Sequence, residues 1–411
     1  MSIMKLKLYN DDEKKLLNYI EENKEELFHQ LSELIKIDTL NFTTHGNENN
    51  GQDYLEEICK ELGLKIDRFT PDSIEGLTEC VDFMKGRGTE QRENLVAAYE
   101  VADAEKTVML AAHMDTEAIG DLSQWEESPF SGLIKDGKIY GRGAGDDKSG
   151  IAMAWFLIKA IKESGIEFKK NILLGSYVDE ERGGGNGALG MAVKYPCDCC
   201  VNLDSGCFET EALGGGCFEF ILTSTNVDKG IASVFDVFAG INLVVEKLAA
   251  LDGHGRTKMR LTNAQAGYGG LKAGRISFAI YTDMTKEDTL KKFGDICTEL
   301  KPNFDRLGLV TDGFVPTTRF FIYGQTDKDS NEAKIMSELI KEATGSYPER
   351  TGNGLTDLSL MLKYGCKNSF NYGVPRGSVG AGGRSHQPNE HVTFDNLLEV
   401  TKTLALLLLR M

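Results

Sequence analysis

The sequence has no apolar run long enough to cross a bilayer. The longest, such as Leu404–Leu409, falls far short of the roughly 20 residues a spanning helix needs. It has no block of Lys or Arg either, and its 411 residues carry a net charge of −17. Nucleic acid and anionic membrane are therefore not expected partners. The N-terminal MSIMKLKLYNDDEKK lacks the apolar core of a signal peptide. The expected location is thus cytoplasmic, and the sequon at Asn41-Phe42-Thr43 has no consequence. The nine cysteines are an odd number, which points to reduced thiols rather than a disulfide framework. Cys197, Cys199 and Cys200 lack a second thiolate or His pair at zinc spacing, so that cluster reads as structural. No internal repeat or low-complexity segment is present.

What is there fits two domains, one inserted in the other, because the chain is too long for one ordinary core. Residues 11–36 place Leu16, Leu17, Ile20, Leu27, Leu31 and Leu34 at helical spacing. TVMLAAHMD at 107–115 is a short continuous apolar run, as in a strand buried on both faces. A helix follows from Asp147 to Gly165, then a strand (NILLGSYV), a short helix (GALGMAVKY) and a strand (CCVNLD). That alternation predicts a mostly parallel α/β sheet flanked by helices. Residues 217–323 read as βαββαβ, the ferredoxin-like order, with its last strand at TTRFFIY. The expected domains are 1–213 with 327–411, and an inserted lid over 214–326. Gly214–Gly216 and Gly324 are candidate hinges at its junctions.

In open parallel sheets, ligands bind beyond the carboxyl ends of the strands. His113 and Asp115 end the first strand, Glu180 and Glu181 the second, and Asp204 the third. Asp146 and Asp147 lie in the turn GRGAGDDKSG, and His386 in the loop GAGGRSHQPNEH. Each feature alone reads as a local cap or a satisfied side chain. Together, at successive strand ends, they point to a multivalent metal, since no nearby set of Lys or Arg matches so many carboxylates. Asp146, Glu181 and Asp204 with one hydroxide carry four negative charges, matching two divalent cations. Two imidazoles with hard oxygens suit zinc, with cobalt or manganese as replacements.

The segments HMD, WEESPFSGLIKDGKIYGRGAGDDKSG, DEERGGGNGA, LDSG and SHQPNEHV closely resemble the aminoacylase, carboxypeptidase G and peptidase T family of dizinc metallohydrolases. Acetylornithine deacetylase and succinyl-diaminopimelate desuccinylase belong to the same group. The likeness runs over roughly 10–213 and 327–411, in five ordered motifs. It implies a zinc-peptidase-like α/β domain with an inserted ferredoxin-like lid, and a homodimer formed through that lid. It also implies one metal held by His113, Asp146 and Asp204, and another by Asp146, Glu181 and His386. Asp147 is then a neighbour. Asp115 would accept the second N–H of His113, and Glu180 would be the general base. Which glutamate takes which role follows from the family order, not from spacing. The implied reaction is hydrolysis of an amide in a small peptide or an N-acyl amino acid.

The lid departs from that family. Its usual Gly-x-x-Ala/Ser-His motif is replaced by VDKGIASVF, its Asp-x-Arg by TDMT, and its Asn-x-x-Pro stretch by GGLKAGR. Arg275 and His254 are candidate substitutes. These departures motivate an alternative, a non-catalytic metal-binding member that holds a small ligand without turnover. GNGALG at 185–190 also matches a dinucleotide fingerprint, but every acidic strand end downstream is already used by the metal set. Its glycines are expected to let the chain turn so that both glutamates enter the site.

Overall fold

The computed structural model describes residues 9–226, 230–267, 272–349, 352, 354–376 and 384–411. The first eight residues, positions 227–229 of VDKGIASVF, 269–271 of GGLKAGR and 380–383 of the loop before His386 lie outside the described residues. The chain divides into two compact units. One is Met1–Glu211 with Gln325–Gly352 and Leu360–Met411; the other is Ala212–Gly324 with Asn353–Ser359.

The first unit is built on a six-stranded sheet. Its order is Lys65–Phe69, Asn94–Tyr99, Lys170–Tyr177, Lys106–His113, Cys199–Asn202 and Ser369–Asn371. The last four run parallel, and Asn94–Tyr99 joins them antiparallel. Val108 to His113 are all buried, which is why that strand reads as an unbroken apolar run. Helices Lys148–Glu163 and Asn186–Lys194 both pack on the Lys170–Tyr177 strand. The long helical pattern at the N-terminus is two helices, Asp11–Glu22 and Lys24–Lys36. They break at Asn23, whose backbone N–H and side-chain Nδ2 both donate to the Tyr19 carbonyl, at 3.0 and 2.9 Å.

The second unit has the ferredoxin-like arrangement. Its antiparallel sheet runs Lys258–Ala266, Ala273–Thr282, Gly214–Ser224 and Leu309–Val310, with helices Ala232–Ala249 and Lys286–Leu307. The fourth strand lies earlier than TTRFFIY. Gly308, at φ 67°, caps the long helix and turns the chain straight into Leu309–Val310, and Phe314–Pro316 continues along the same neighbour. Phe314 stacks with Phe293 at 4.5 Å between ring centroids, which anchors that register. Residues 317–323 form no ladder strand, though Thr317 and Thr318 bond Cys217 and Phe321 bridges to Gly215, and Arg319 pairs with buried Asp357. Gly214–Gly216 are strand residues. A Cβ at Gly215 would stand 1.9 Å from the Ile280 carbonyl oxygen, so the glycine serves close backbone approach.

Candidate metal centre

Strand register brings the acidic and imidazole groups to one edge of the first unit. His113 is opposite Tyr177, so the chain segments leading to Asp115 and to Glu180 start at the same level. Ala111 is opposite Asn202, which puts Asp204 two residues further on, level with His113. Three groups of ligand atoms lie within 4.8 Å of one another: His113, Asp146 and Asp204; Asp146, Glu181 and His386; and His113, Glu180 and Glu181. The first two are the sets implied by the sequence resemblance. Asp147 is in none of them.

Asp146 offers one carboxylate oxygen to each imidazole. Its Oδ1 is 3.0 Å from His113 Nε2, and its Oδ2 is 3.1 Å from His386 Nε2. Glu181 Oε1 lies 3.0 Å from the same His386 nitrogen, and Asp204 Oδ1 lies 3.8 Å from His113 Nε2. His113 Nδ1 stands 2.8 Å from the Asp115 backbone carbonyl, an acceptor only, so Nδ1 carries the hydrogen and Nε2 faces the carboxylates. The Asp115 carboxylate is 3.7 Å from Nδ1 and does other work. It accepts from the backbone N–H of Glu180 at 3.1 Å, from that of Glu181 at 2.9 Å, and from Asn41 Nδ2 at 2.7 Å. Asp115 therefore fixes the histidine through its main chain and the paired glutamates through its side chain.

The electrostatics are those of a site built around positive charge. Burial lowers the His113 pKa, but Asp146, Asp204, Glu180 and Asp115 outweigh it and hold the imidazole well above 6.5. His386, also opposed by burial, is carried up to about 11 by Glu181 and Asp146. Burial resists ionisation of Asp146, yet Arg376 and the two imidazoles keep it well below the usual carboxylate range. Glu181 sits at about 6, raised by burial and only partly restored by His386. Asp147 is raised well above its ordinary value, mainly by burial, and neither of its oxygens has a hydrogen-bond partner. Two imidazole nitrogens and overlapping carboxylate pairs are the donor chemistry of divalent transition metals, so the residues fit such ions.

Arg376 went unnoticed in the sequence. Its Nη2 lies 2.9 Å from Asp146 Oδ1 and also contacts Asp204 Oδ1, so a guanidinium bridges two of the three carboxylates assigned to the metals. Glu390 was missed as well. Buried, it accepts from Gly145 N–H at 3.0 Å and from Arg142 Nη1 at 2.5 Å, tying the Asp146 turn to the His386 loop.

The DEERGGGNG turn is anchored from below. Asp179, at φ 64°, is fully buried, and its Oδ1 accepts from Arg87 Nε at 2.8 Å and Arg92 Nη1 at 3.0 Å. Arg87 also donates to the Glu181 carbonyl at 3.0 Å. A Cβ on Gly184 would lie 2.1 Å from the Asp179 carbonyl oxygen, so the turn closes only over glycine. Gly187 meets Val178 backbone as tightly, at 2.0 Å for the same hypothetical Cβ. That packing explains GNGALG as a close helix–strand contact.

The candidate lid substitutes are placed within the second unit. Arg275 is paired with Glu219 on the neighbouring strand, and His254 lies exposed in the turn before Lys258.

Fold and site together describe an α/β protein with an inserted antiparallel domain and a candidate metal-binding cluster in which two groups of donor atoms share Asp146. The chain belongs to peptidase family M20/M25/M40, whose profile matches residues 109–410 and takes in all the candidate ligands. It is 35% identical over 153 residues to an uncharacterized metallohydrolase of Methanocaldococcus jannaschii, covering 37% of this chain and 36% of that one. It is 26% identical over 200 residues to the N-formyl-4-amino-5-aminomethyl-2-methylpyrimidine deformylase of Halalkalibacterium halodurans, covering 49% and 43%. The alignments thus span less than half the length of these relatives. Among solved structures, the di-peptidase Dug1p of Saccharomyces cerevisiae superposes with a TM-score of 0.72 at 16% identity, over 96% of this chain and 98% of that one. At that identity the likeness is one of fold.

Proposed function

We propose that this chain is a metal-dependent amidohydrolase, cleaving an amide of a small peptide or an N-acyl amino acid. The observation that carries the reading is Asp146, which presents one oxygen to each of two imidazoles beside a second, separately held glutamate. We assign one metal to His113, Asp146 and Asp204 and the other to Asp146, Glu181 and His386. Zinc suits this mixed nitrogen and oxygen set, with cobalt or manganese as substitutes. When bound, two divalent ions polarise a carbonyl and lower the pKa of water to about 7. Glu180 takes the proton from the attacking water and delivers it to the departing amine nitrogen. Asp115 holds Glu180 for that task through its N–H, and His113 keeps one tautomer through the Asp115 carbonyl.

The N-acyl class is supported by a relative named a succinyl-diaminopimelate desuccinylase, and the peptide class by one named a probable carboxypeptidase. Among the described residues no helix is long and apolar enough to cross a membrane. We infer a reducing, cytoplasmic setting from nine cysteines that are all free thiols. We also infer a homodimer through the second unit. Its edge strand Lys258–Ala266 has one strand partner among the described residues, and Phe235 and Phe238 are 73% and 48% exposed on the adjoining helix. Light scattering on the eluted protein reads that state directly, and a monomer at assay concentration rules the dimer out.

The test of the main reading is Glu180→Ala. Turnover of a panel of dipeptides, tripeptides and N-acyl amino acids should fall by about 10²–10⁴-fold. Metal content should stay near two ions per chain. Failure of the purified protein to take up zinc, cobalt or manganese stoichiometrically removes the proposal. Metal uptake with no turnover of any panel member leaves the non-catalytic, ligand-holding alternative.

A further inference from the structure

Far from the metal edge, at the amino ends of two neighbouring parallel strands, two cysteines face each other. Cys197 Sγ lies 3.8 Å from Cys366 Sγ. Strand pairing explains the meeting. Cys200 is opposite Ser369, and each of the two cysteines lies three residues before its member of that pair. The entering segments are already tied together, since Cys200 N–H donates to the Asn368 carbonyl at 3.4 Å and Asn368 Nδ2 to the Asp198 carbonyl at 3.1 Å. The strands these segments enter are about 4.8 Å apart, so the segments converge towards the 4.4–6.8 Å Cα separation that a disulfide accepts. Both thiols are partly exposed, whereas Cys199 and Cys200 beside them are buried.

A soft-metal site is the other chemistry such a cluster suggests. Among the described residues, no group of three ligand atoms within 4.8 Å includes a cysteine, so the arrangement is a pair and not a cage. The pair is also asymmetric. The neighbouring Cys197 Sγ and the N–H groups of Asn368 and Cys200 favour the Cys366 thiolate and lower its pKa against the effect of burial. Cys366, with main-chain N–H groups at its sulfur, is the better placed of the two to attack, and Cys197 to resolve.

We propose that Cys197 and Cys366 form a reversible redox modification site, closed by a low-molecular-weight disulfide. The Cys366 thiolate attacks one sulfur of the external disulfide, whose S–S bond breaks and releases one thiolate that takes up a proton. Cys197 then loses its proton and attacks Cys366 Sγ, forming the internal S–S bond and expelling the second small thiol. The external disulfide gains two electrons and two protons; the dithiol loses them. Because 197 and 366 flank the inserted unit, the bond staples together the two chain segments of the first unit, 169 residues apart. Closing so long a loop constrains the unfolded chain, so the oxidised form is the more heat-resistant one.

The experiment equilibrates the full-length protein in glutathione buffers of rising disulfide content, followed by acid quench, alkylation under denaturing conditions and peptide mapping. The expected result is a mass loss of about 2 Da, with Cys197 and Cys366 protected and the other cysteines alkylated. The melting midpoint should rise on oxidation and return with dithiothreitol. Cys197→Ser should stop at a glutathione adduct on Cys366. A crosslink mapped to another pair, full alkylation of both residues in excess glutathione disulfide, or a mapped bond without a rise in melting midpoint overturns the proposal. The wild-type mapping decides even where the variant does not fold.

Discussion

Asp179 is the residue whose loss should be felt most widely. Its side chain is 0% exposed, and it lies between Arg87 and Arg92, themselves 2% and 1% exposed. Burial pushes the Asp179 pKa up despite both guanidiniums, so the ion pairs do not fully offset the cost of taking the carboxylate out of water. The damage in Asp179→Asn therefore comes from the cations left behind. Arg92 retains Glu48, which accepts from its Nε at 2.9 Å. Arg87 retains only the carbonyls of Glu181 and Arg182, at 3.0 and 3.4 Å, among its hydrogen bonds. One buried charge loses its counter-charge and the other keeps one, which sets the cost at about 3–5 kcal/mol for a broken buried pair. At about 2 °C per kcal/mol for a large domain, the melting midpoint should fall by roughly 6–10 °C. Metal affinity should weaken in parallel, because Arg87 also holds the carbonyl of Glu181. Differential scanning calorimetry with a metal titration reads both. Adding Arg87→Met to the variant should recover part of the loss by removing the stranded charge. A fall of less than about 1 kcal/mol, or no recovery in the double variant, refutes the reasoning.

Arg376→Ala removes a cation that competes for Asp146 and Asp204. Affinity for the first metal ion should rise by about tenfold, read by competition with a chromophoric chelator, and unchanged or weaker binding contradicts the competition. Glu48 gives a pH test away from the metal ligands. Burial and the charge of Asp115 push it up to about 7 against the pull of Arg92, from 4.5 when unfolded. An acid with a raised folded value stabilises fully below about 4.5, and that stability is lost as pH rises through about 7. Relative to Glu48→Gln, the wild-type protein should therefore lose roughly 2–3 kcal/mol between pH 5 and pH 8, measured by urea unfolding. Parallel pH profiles for the two proteins would sink this assignment.

The candidate ligands were legible because each sits at a strand end or in a turn beside one, and strand ends on a parallel sheet share an edge. His113, Glu181 and Asp204 needed only the order of strands to be brought together. Arg376 was not legible, since a lone arginine after Pro375 has no periodicity, and only the folded chain brings it to Asp146. The chain Glu48–Arg92–Asp179–Arg87 escaped for the same reason, its members lying up to 131 residues apart along the sequence (179 − 48). Local rules failed at two places. Asn23 looks compatible with one long helix until its side chain takes the Tyr19 carbonyl, and TTRFFIY looks like a strand although Phe314 has already claimed the edge position.

Two adjacent glutamates could have been equivalent ligands, and spacing alone did not separate them. The structure places the two side chains differently. Asp115 catches the N–H of Glu180 with Oδ1 and that of Glu181 with Oδ2, so consecutive amides converge on one carboxylate. Glu181, buried, then puts its Oε1 where His386 Nε2 and the Glu117 N–H also meet it, at 3.0 and 3.1 Å. Glu180 is half-buried in the same turn and lies in one group of donor atoms with His113 and Glu181, but not in the group of Asp146, Glu181 and His386. A carboxylate held by an imidazole and an amide is suited to staying put, while one nearer solvent is suited to exchanging a proton. On the proposed roles, the aspartate expected to orient the histidine also fixes the main chain from which the two glutamates part.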